Sequence, residues 1–187
     1  DAIIRKAPSA DLWPGQTDES EVGFSYAEVD RILFRLVDKR RSIDEVVARV
    51  DAYGCPMVEI TGVEPPLQPD VYPLMRRLLA TGKTVLIETG GHRSIADVPE
   101  GVIRVMDIKC PGSGESAKND WENLHRLTAR DQVKFVIATR ADYEYARQVV
   151  ARYALAGRVT AVLFSPVHGV LDARTLADWV LEDSLPV

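Results

Sequence analysis

Four short stretches of the chain concentrate residue types that can bind or transfer something. They are Thr61-Gly62-Val63-Glu64-Pro65, Glu88-Thr89-Gly90-Gly91-His92, Asp107-Ile108-Lys109-Cys110-Pro111-Gly112-Ser113-Gly114 and Ser165-Pro166-Val167-His168-Gly169. Asp107 and Lys109 alternate along an extended run, so they share a face. They suit a ligand carrying both signs of charge, or else form a mutual ion pair worth roughly 0–1 kcal/mol. Glu64 precedes a proline, which holds it extended, and its carboxylate either meets an ammonium group or is solvated. Gly62 and the Gly90-Gly91 pair permit close backbone approach or simply tight turns. The Pro111-Gly112-Ser113-Gly114 turn offers N–H groups and a hydroxyl to an anion or a ribose, but lacks the Lys-Ser/Thr of a phosphate-binding Walker loop. Cys110 beside Lys109 is either a reactive thiol or a small apolar residue under a loop. His168 either lines the site or stabilises a turn. His92, His125 and His168 share no metal-ligand spacing with each other or with a cysteine, so no metal site is expected.

These residues need elements to hold them. Apolar, β-branched runs recur at 57–61, 84–89, 102–108, 133–138 and 159–164. Helical periodicity fills 70–81, 117–127, 141–155 and 172–182, while the link 90–101 is too short for a helix. Ser42 and Glu45 form the two ends of a capping box, and Gly54 stops the helix they start. Residues 1–20 mix Pro, Gly, Ser and Asp without period and read as an irregular arm. Residues 25–40 place Val29, Ile32, Leu33, Leu36 and Val37 at helical spacing. Strand–helix alternation predicts an α/β fold, a parallel sheet covered by helices, as an open doubly wound sheet or an incomplete (β/α) barrel. Either way the four stretches fall at the carboxyl ends of strands, where such folds bind ligands. We read 1–187 as a single domain, with 1–40 an atypical arm and helix and 41–187 the core.

The bulk properties limit the function. A net charge of −5 and 46% apolar residues describe an ordinary globular protein, without the basic face that nucleic acid or an anionic membrane requires. No apolar run reaches the roughly 20 residues of a membrane span. The opening residues lack a secretory pattern, and two cysteines form no disulfide framework, so a cytoplasmic location is expected.

The stretches taken together, "VEITGVEPPLQPDVYPLMRRLLATGKTVLIETGGH", "VMDIKCPGSGES", "DQVKFVIATRADYEYA" and "LFSPVHGVLDARTLADWVLEDSLPV", resemble 7-carboxy-7-deazaguanine synthase, a radical S-adenosylmethionine enzyme of queuosine biosynthesis. The resemblance covers about residues 41–187. It implies an incomplete barrel, a homodimer, and conversion of 6-carboxy-5,6,7,8-tetrahydropterin to 7-carboxy-7-deazaguanine with S-adenosylmethionine, a [4Fe–4S] cluster and Mg²⁺. It implies that Thr61 faces the pterin-like substrate, and that Gly62, Val63, Glu64, Asp107, Ile108, Lys109 and Ser113 lie along S-adenosylmethionine. The family's Cys-x₃-Cys-x₂-Cys loop, which holds three irons through thiolates, has no counterpart. Cys55 and Cys110 stand far apart, and the Cys-Asp-Thr end of that loop, near Mg²⁺, is missing with it. Val63 replaces a motif glycine, and the chain stops short of the family's last strand and tail. The expectation is a synthase-like protein inactive in this form, with a repurposed, non-catalytic binding or interaction protein as the alternative.

Overall fold

Alternation of apolar and polar residues along the runs builds strands with one buried face. The structure, a computed structural model, describes residues 3–6, 41–62 and 64–187. Its strands are β1 (Ile3–Lys6), β2 (Met57–Thr61), β3 (Thr84–Thr89), β4 (Ile103–Ile108), β5 (Gln132–Ile137) and β6 (Ala161–Pro166). Its helices are α1 (Ile43–Ala52), α2 (Val71–Ala80), α3 (Glu122–Arg126), α4 (Arg140–Arg152) and α5 (Ala173–Glu182). The helix expected over 25–40 lies outside the described residues. Residues 3–6, expected to be irregular, instead form an edge strand antiparallel to β2. Such pairing gives hydrogen-bond partners to the otherwise unpaired side of β2.

Strands β2 to β6 are parallel and adjacent in chain order. A doubly wound sheet needs a reversal of strand order, and none occurs here. With right-handed crossovers, the rule for parallel units, an order that never reverses puts the helices on one side. The fold is therefore the incomplete barrel type. Val58 and Ile60, Val85 and Ile87, Val133, Phe135 and Ile137 occupy that side. They join Val47 of α1, Met75 and Leu78 of α2, Leu124 of α3, Tyr143 and Ala146 of α4 and Leu176 of α5 in one core. Each large side chain removed from water contributes roughly 1.5–3 kcal/mol. Alternate residues face the other way, into the concave side: Thr61, Leu86, Glu88, Val105, Asp107 and Lys134. Val105 is buried yet stands apart from the core.

The helix starts follow the residues that cap them. Ser42 Oγ accepts the Glu45 N–H (3.3 Å) while Glu45 accepts the Ser42 N–H (2.7 Å), and Gly54 at φ +64° ends the segment. Thr139 and Asp172 cap α4 and α5. The helix expected over 117–127 shrinks to α3 plus a 3₁₀ turn at Ser116–Lys118. The cause is Asn119, whose side chain exchanges two hydrogen bonds with the Lys109 backbone, accepting its N–H (3.0 Å) and donating to its carbonyl (2.9 Å). The link 90–101 is helix-free and is pinned by buried Asn123, which accepts the Ile95 N–H and donates to Gly91 and Arg93 carbonyls. No helix among the described residues is long and apolar enough to cross a membrane.

Candidate functional site

At the carboxyl ends of β2, β3 and β4 lies a cavity of about 450 Å³, lined among others by Thr61, Gly62, Glu88, Gly90, Asp107 and Lys109. That volume suits a small organic ligand. Strand alternation explains which side chains arrive. Thr61, Glu88 and Asp107 occupy concave-face positions near the strand ends, and Lys109 continues the alternation one step beyond β4. Ile108 points its side chain into the core, leaving only its backbone near the site. Val63 lies outside the described residues.

Glu64 resolves the odd exit of β2. Its backbone is extended (φ −159°, ψ 95°) and the Pro65–Leu67 3₁₀ turn follows. The carboxylate turns inward, buried, and accepts from the Thr89 hydroxyl, from the Gly90 N–H at 3.0 Å and from His92 Nδ1 at 3.1 Å. Of the two readings open for it, solvation is excluded. A carboxylate with three donors ties the end of β2 to the end of β3. Gly91 is required for this turn, at φ +68°, because an added Cβ would sit 2.9 Å from Met106 Cγ.

Asp107 and Lys109 do form a mutual ion pair, Nζ to Oδ2 at 2.8 Å. The other oxygen, Asp107 Oδ1, is buried with no hydrogen-bond partner among the described residues. A buried acceptor left over costs roughly 1–3 kcal/mol, and a ligand ammonium or N–H would relieve that. Ser113 is not part of the lining. Its hydroxyl donates to the Cys110 carbonyl (2.6 Å) and accepts the Glu115 N–H (3.2 Å). The Gly112 N–H is taken by Asp142 Oδ1 at 2.7 Å, so part of the Pro111–Ser113 turn is already occupied by protein. Cys110 is buried, and burial first, then Asp142 and Asp107, pushes its thiol up to about 12. It is the small apolar residue of the two readings, not a thiolate. His168 is exposed and away from the cavity.

The cavity lining also holds Glu115, Lys118 and Asn119, which were not singled out from sequence, and Glu88, which stood there only as a member of its stretch. Glu88 on β3 accepts the Thr61 hydroxyl (2.9 Å) and pairs with Lys134 of β5 at 2.9 Å. A lysine inside the apolar run "VKFVIA" was the available signal: a charge in a buried strand must face a partner or a ligand.

Comparison with known proteins separates the chain into two parts. Over about 80% of its length it is 44% identical to the 7-carboxy-7-deazaguanine synthase of Koribacter versatilis, covering 72% of that protein. It is 38% identical to that of Chlorobaculum tepidum, with 78% of this chain and 67% of the relative aligned. The chain belongs to the 7-carboxy-7-deazaguanine synthase family. The N-terminal part has a different likeness. The NAD synthase family model matches residues 1–60. A 46-residue stretch, a quarter of this chain, is 61% identical to the NH(3)-dependent NAD(+) synthetase of Trichlorobacter lovleyi and covers 17% of it. The amphipathic 25–40 pattern, which has no place in the 7-carboxy-7-deazaguanine synthase resemblance, falls within that match.

The family implies S-adenosylmethionine and an iron–sulfur cluster. Asp107 Oδ1 and Lys109 fit a zwitterion such as S-adenosylmethionine. The cluster does not fit this chain. Cys55 precedes β2, at the end of the strand opposite the cavity, roughly 17 Å away by strand rise, and Cys110 is a buried neutral thiol. No group of three or more His, Cys, Asp or Glu among the described residues is arranged to hold a metal ion.

Proposed function

We propose that this chain is a 7-carboxy-7-deazaguanine synthase-like protein that retains the ligand cavity of its family but does not by itself generate the radical. The observation carrying this is the thiol placement: two cysteines, at opposite ends of the sheet, where a site-differentiated cluster takes three thiolates in one loop. In this reading a pterin- or purine-like ring rests on the concave floor beside Thr61 and Glu88. S-adenosylmethionine, which when bound with a cluster supplies the radical in this chemistry, lies along Gly62, Val63, Glu64, Asp107, Ile108, Lys109 and Ser113. Asp107 offers its spare oxygen to an ammonium, Ile108 contributes backbone alone, and Glu64 shapes the rim from beneath. The homodimer implied by the resemblance, and a cytoplasmic location, belong to the same proposal.

Anaerobic reconstitution with iron and sulfide tests it. The expected result is no stoichiometric cluster and no conversion of 6-carboxy-5,6,7,8-tetrahydropterin; a full cluster with product formation refutes it. The amphipathic 25–40 pattern motivates the second reading, a non-catalytic interaction protein on the same scaffold. A strictly monomeric chain in light scattering, with no partner captured, would end that reading. A segment covering 17% of a synthetase is not proposed as a second catalytic unit.

A further inference from the structure

We propose that Asn119 is a positioning residue: its amide holds Lys109 as one half of a paired-charge receptor for the amino-acid end of the cavity's ligand. The inference rests on the reading that S-adenosylmethionine lies along Asp107 and Lys109.

Lys109 stands one residue past β4, and the β4–β5 register ends at Ile108 with Phe135. Strand pairing therefore stops just before the residue whose side chain must stay on the concave face. Asn119 continues it. Its Oδ1 accepts the Lys109 N–H at 3.0 Å, and its Nδ2 donates to the Lys109 carbonyl at 2.9 Å. A donor and an acceptor offered together to one residue's backbone reproduce the hydrogen-bonded pair of a sheet. Turning the amide over would set donor against donor and acceptor against acceptor, so its orientation is fixed. Nδ2 also reaches the Tyr145 hydroxyl of α4 at 3.5 Å.

The same segment ties down the neighbouring strand exit. The Asp120 N–H donates to the Gly91 carbonyl at 3.2 Å, so residues 119–120 join the exit of β4 to that of β3. The Lys109 stem lies over that junction, where a Cβ added at Gly90 would stand 3.7 Å from Cε. At its tip, Nζ pairs with Asp107 Oδ2 at 2.8 Å. A lysine stem is long and flexible, and this one is held at both ends. Its ammonium has three N–H donors, of which Asp107 Oδ2 takes one. Asp107 Oδ1 is buried and has no hydrogen-bond partner among the described residues. A spare donor and a free acceptor thus stand side by side, the arrangement that a carboxylate and an ammonium on one carbon require. Without Asn119, Lys109 is free to leave the concave face while the rest of the cavity floor stays in place.

Calorimetric titration of the whole chain with S-adenosylhomocysteine and with 5′-methylthioadenosine tests this. The two share adenosine and a neutral thioether, and the first alone carries the amino-acid end. The wild type should favour S-adenosylhomocysteine by at least about 10-fold, the worth of one charge-assisted hydrogen bond. Asn119→Ala should remove most of that preference, while methylthioadenosine affinity stays within about 2-fold. In a Lys109→Met background, Asn119→Ala should change the preference by less than about 2-fold, because the residue it positions is gone. A merely structural Asn119 would weaken both ligands together, or act equally with and without Lys109, and either result overturns the inference. Should Asn119→Ala fail to fold, Asn119→Asp replaces it. That variant keeps the acceptor but sets an anion against the Lys109 carbonyl, and an undiminished preference there overturns the inference too. If the wild type binds both ligands equally, the inference alone fails. If it binds neither, the underlying ligand reading fails and takes this inference with it.

Discussion

Glu64→Gln is the most informative single change at the rim. The wild-type carboxylate accepts three bonds, from Thr89, Gly90 and His92, with its side chain 1% exposed. Hydrogen bonds to a charged acceptor are worth roughly 1.5–3 kcal/mol each and neutral ones roughly 0.5–1.5. Gln keeps the shape but turns one acceptor into a donor. Its oxygen can serve Gly90 and His92, leaving its NH₂ against the Thr89 hydroxyl, which must reorient while still accepting the Gly91 N–H at 3.1 Å. Weakening the two retained bonds and inverting the third costs about 3 kcal/mol. Removal of the buried charge returns about 1 kcal/mol of desolvation. The net expectation is a loss of about 2 kcal/mol, or a Tm lowered by roughly 4–8 °C for a chain of this size. Urea unfolding at neutral pH measures it. A double-mutant cycle with Thr89→Val isolates the pair, with an expected coupling of about 1 kcal/mol. If Glu64→Gln is as stable as wild type or more so, the carboxylate is a net burden rather than a clamp, and the account of the β2 exit is wrong.

Asp142→Ala should cost about 3 kcal/mol, since its carboxylate takes the Gly112 and Ala138 N–H groups at 2.7 and 3.2 Å; amides of residues 110–114 should then exchange faster with deuterium. Gly91→Ala combines a left-handed φ with a close approach to Met106 and should lose about 2 kcal/mol, read as a lowered urea midpoint. A thiol reagent at pH 8 should modify half-buried Cys55 readily and leave buried Cys110 untouched until urea is added; rapid modification of two thiols in the native chain contradicts its packing. The folded Cys110 thiol holds its proton to about 12 against 9.0 in the open chain, so unfolding releases that proton in between and stability should fall as pH rises from about 9 toward 12. Cys110→Ala should flatten that alkaline limb, leaving the part due to Tyr143, also pushed up to about 12, chiefly by burial; an unchanged slope refutes the contribution.

The fold was legible where physics is local. Runs at 57–61 and 84–89 became β2 and β3 with those bounds, because alternation and bounding turns are near-neighbour signals. The capping box at Ser42 was equally readable. What failed depended on distant partners. The helix expected over 117–127 ended early because Asn119 bonds to Lys109, a contact between separate segments. Glu64 could be solvated or ligand-bound on sequence grounds, and its actual donors come from the next strand's exit. At the site, family likeness brought Thr61, Gly62, Asp107 and Lys109 to one cavity. Lys134 stayed hidden because its partner sits two strands away. Residues 25–40 show a periodicity that says helix but carries no mark of which protein it resembles.

Every parallel pairing in this sheet joins strands that are consecutive in the chain. A nascent polypeptide can therefore lay each strand–helix unit against the one just completed, waiting for nothing farther along. Partial lengths would already be layered, each finishing on a raw margin of N–H and C=O groups. Strand β6 presents such a margin among the described residues, and an architecture that grows this way can accept one more strand there, from its own continuation or from another chain.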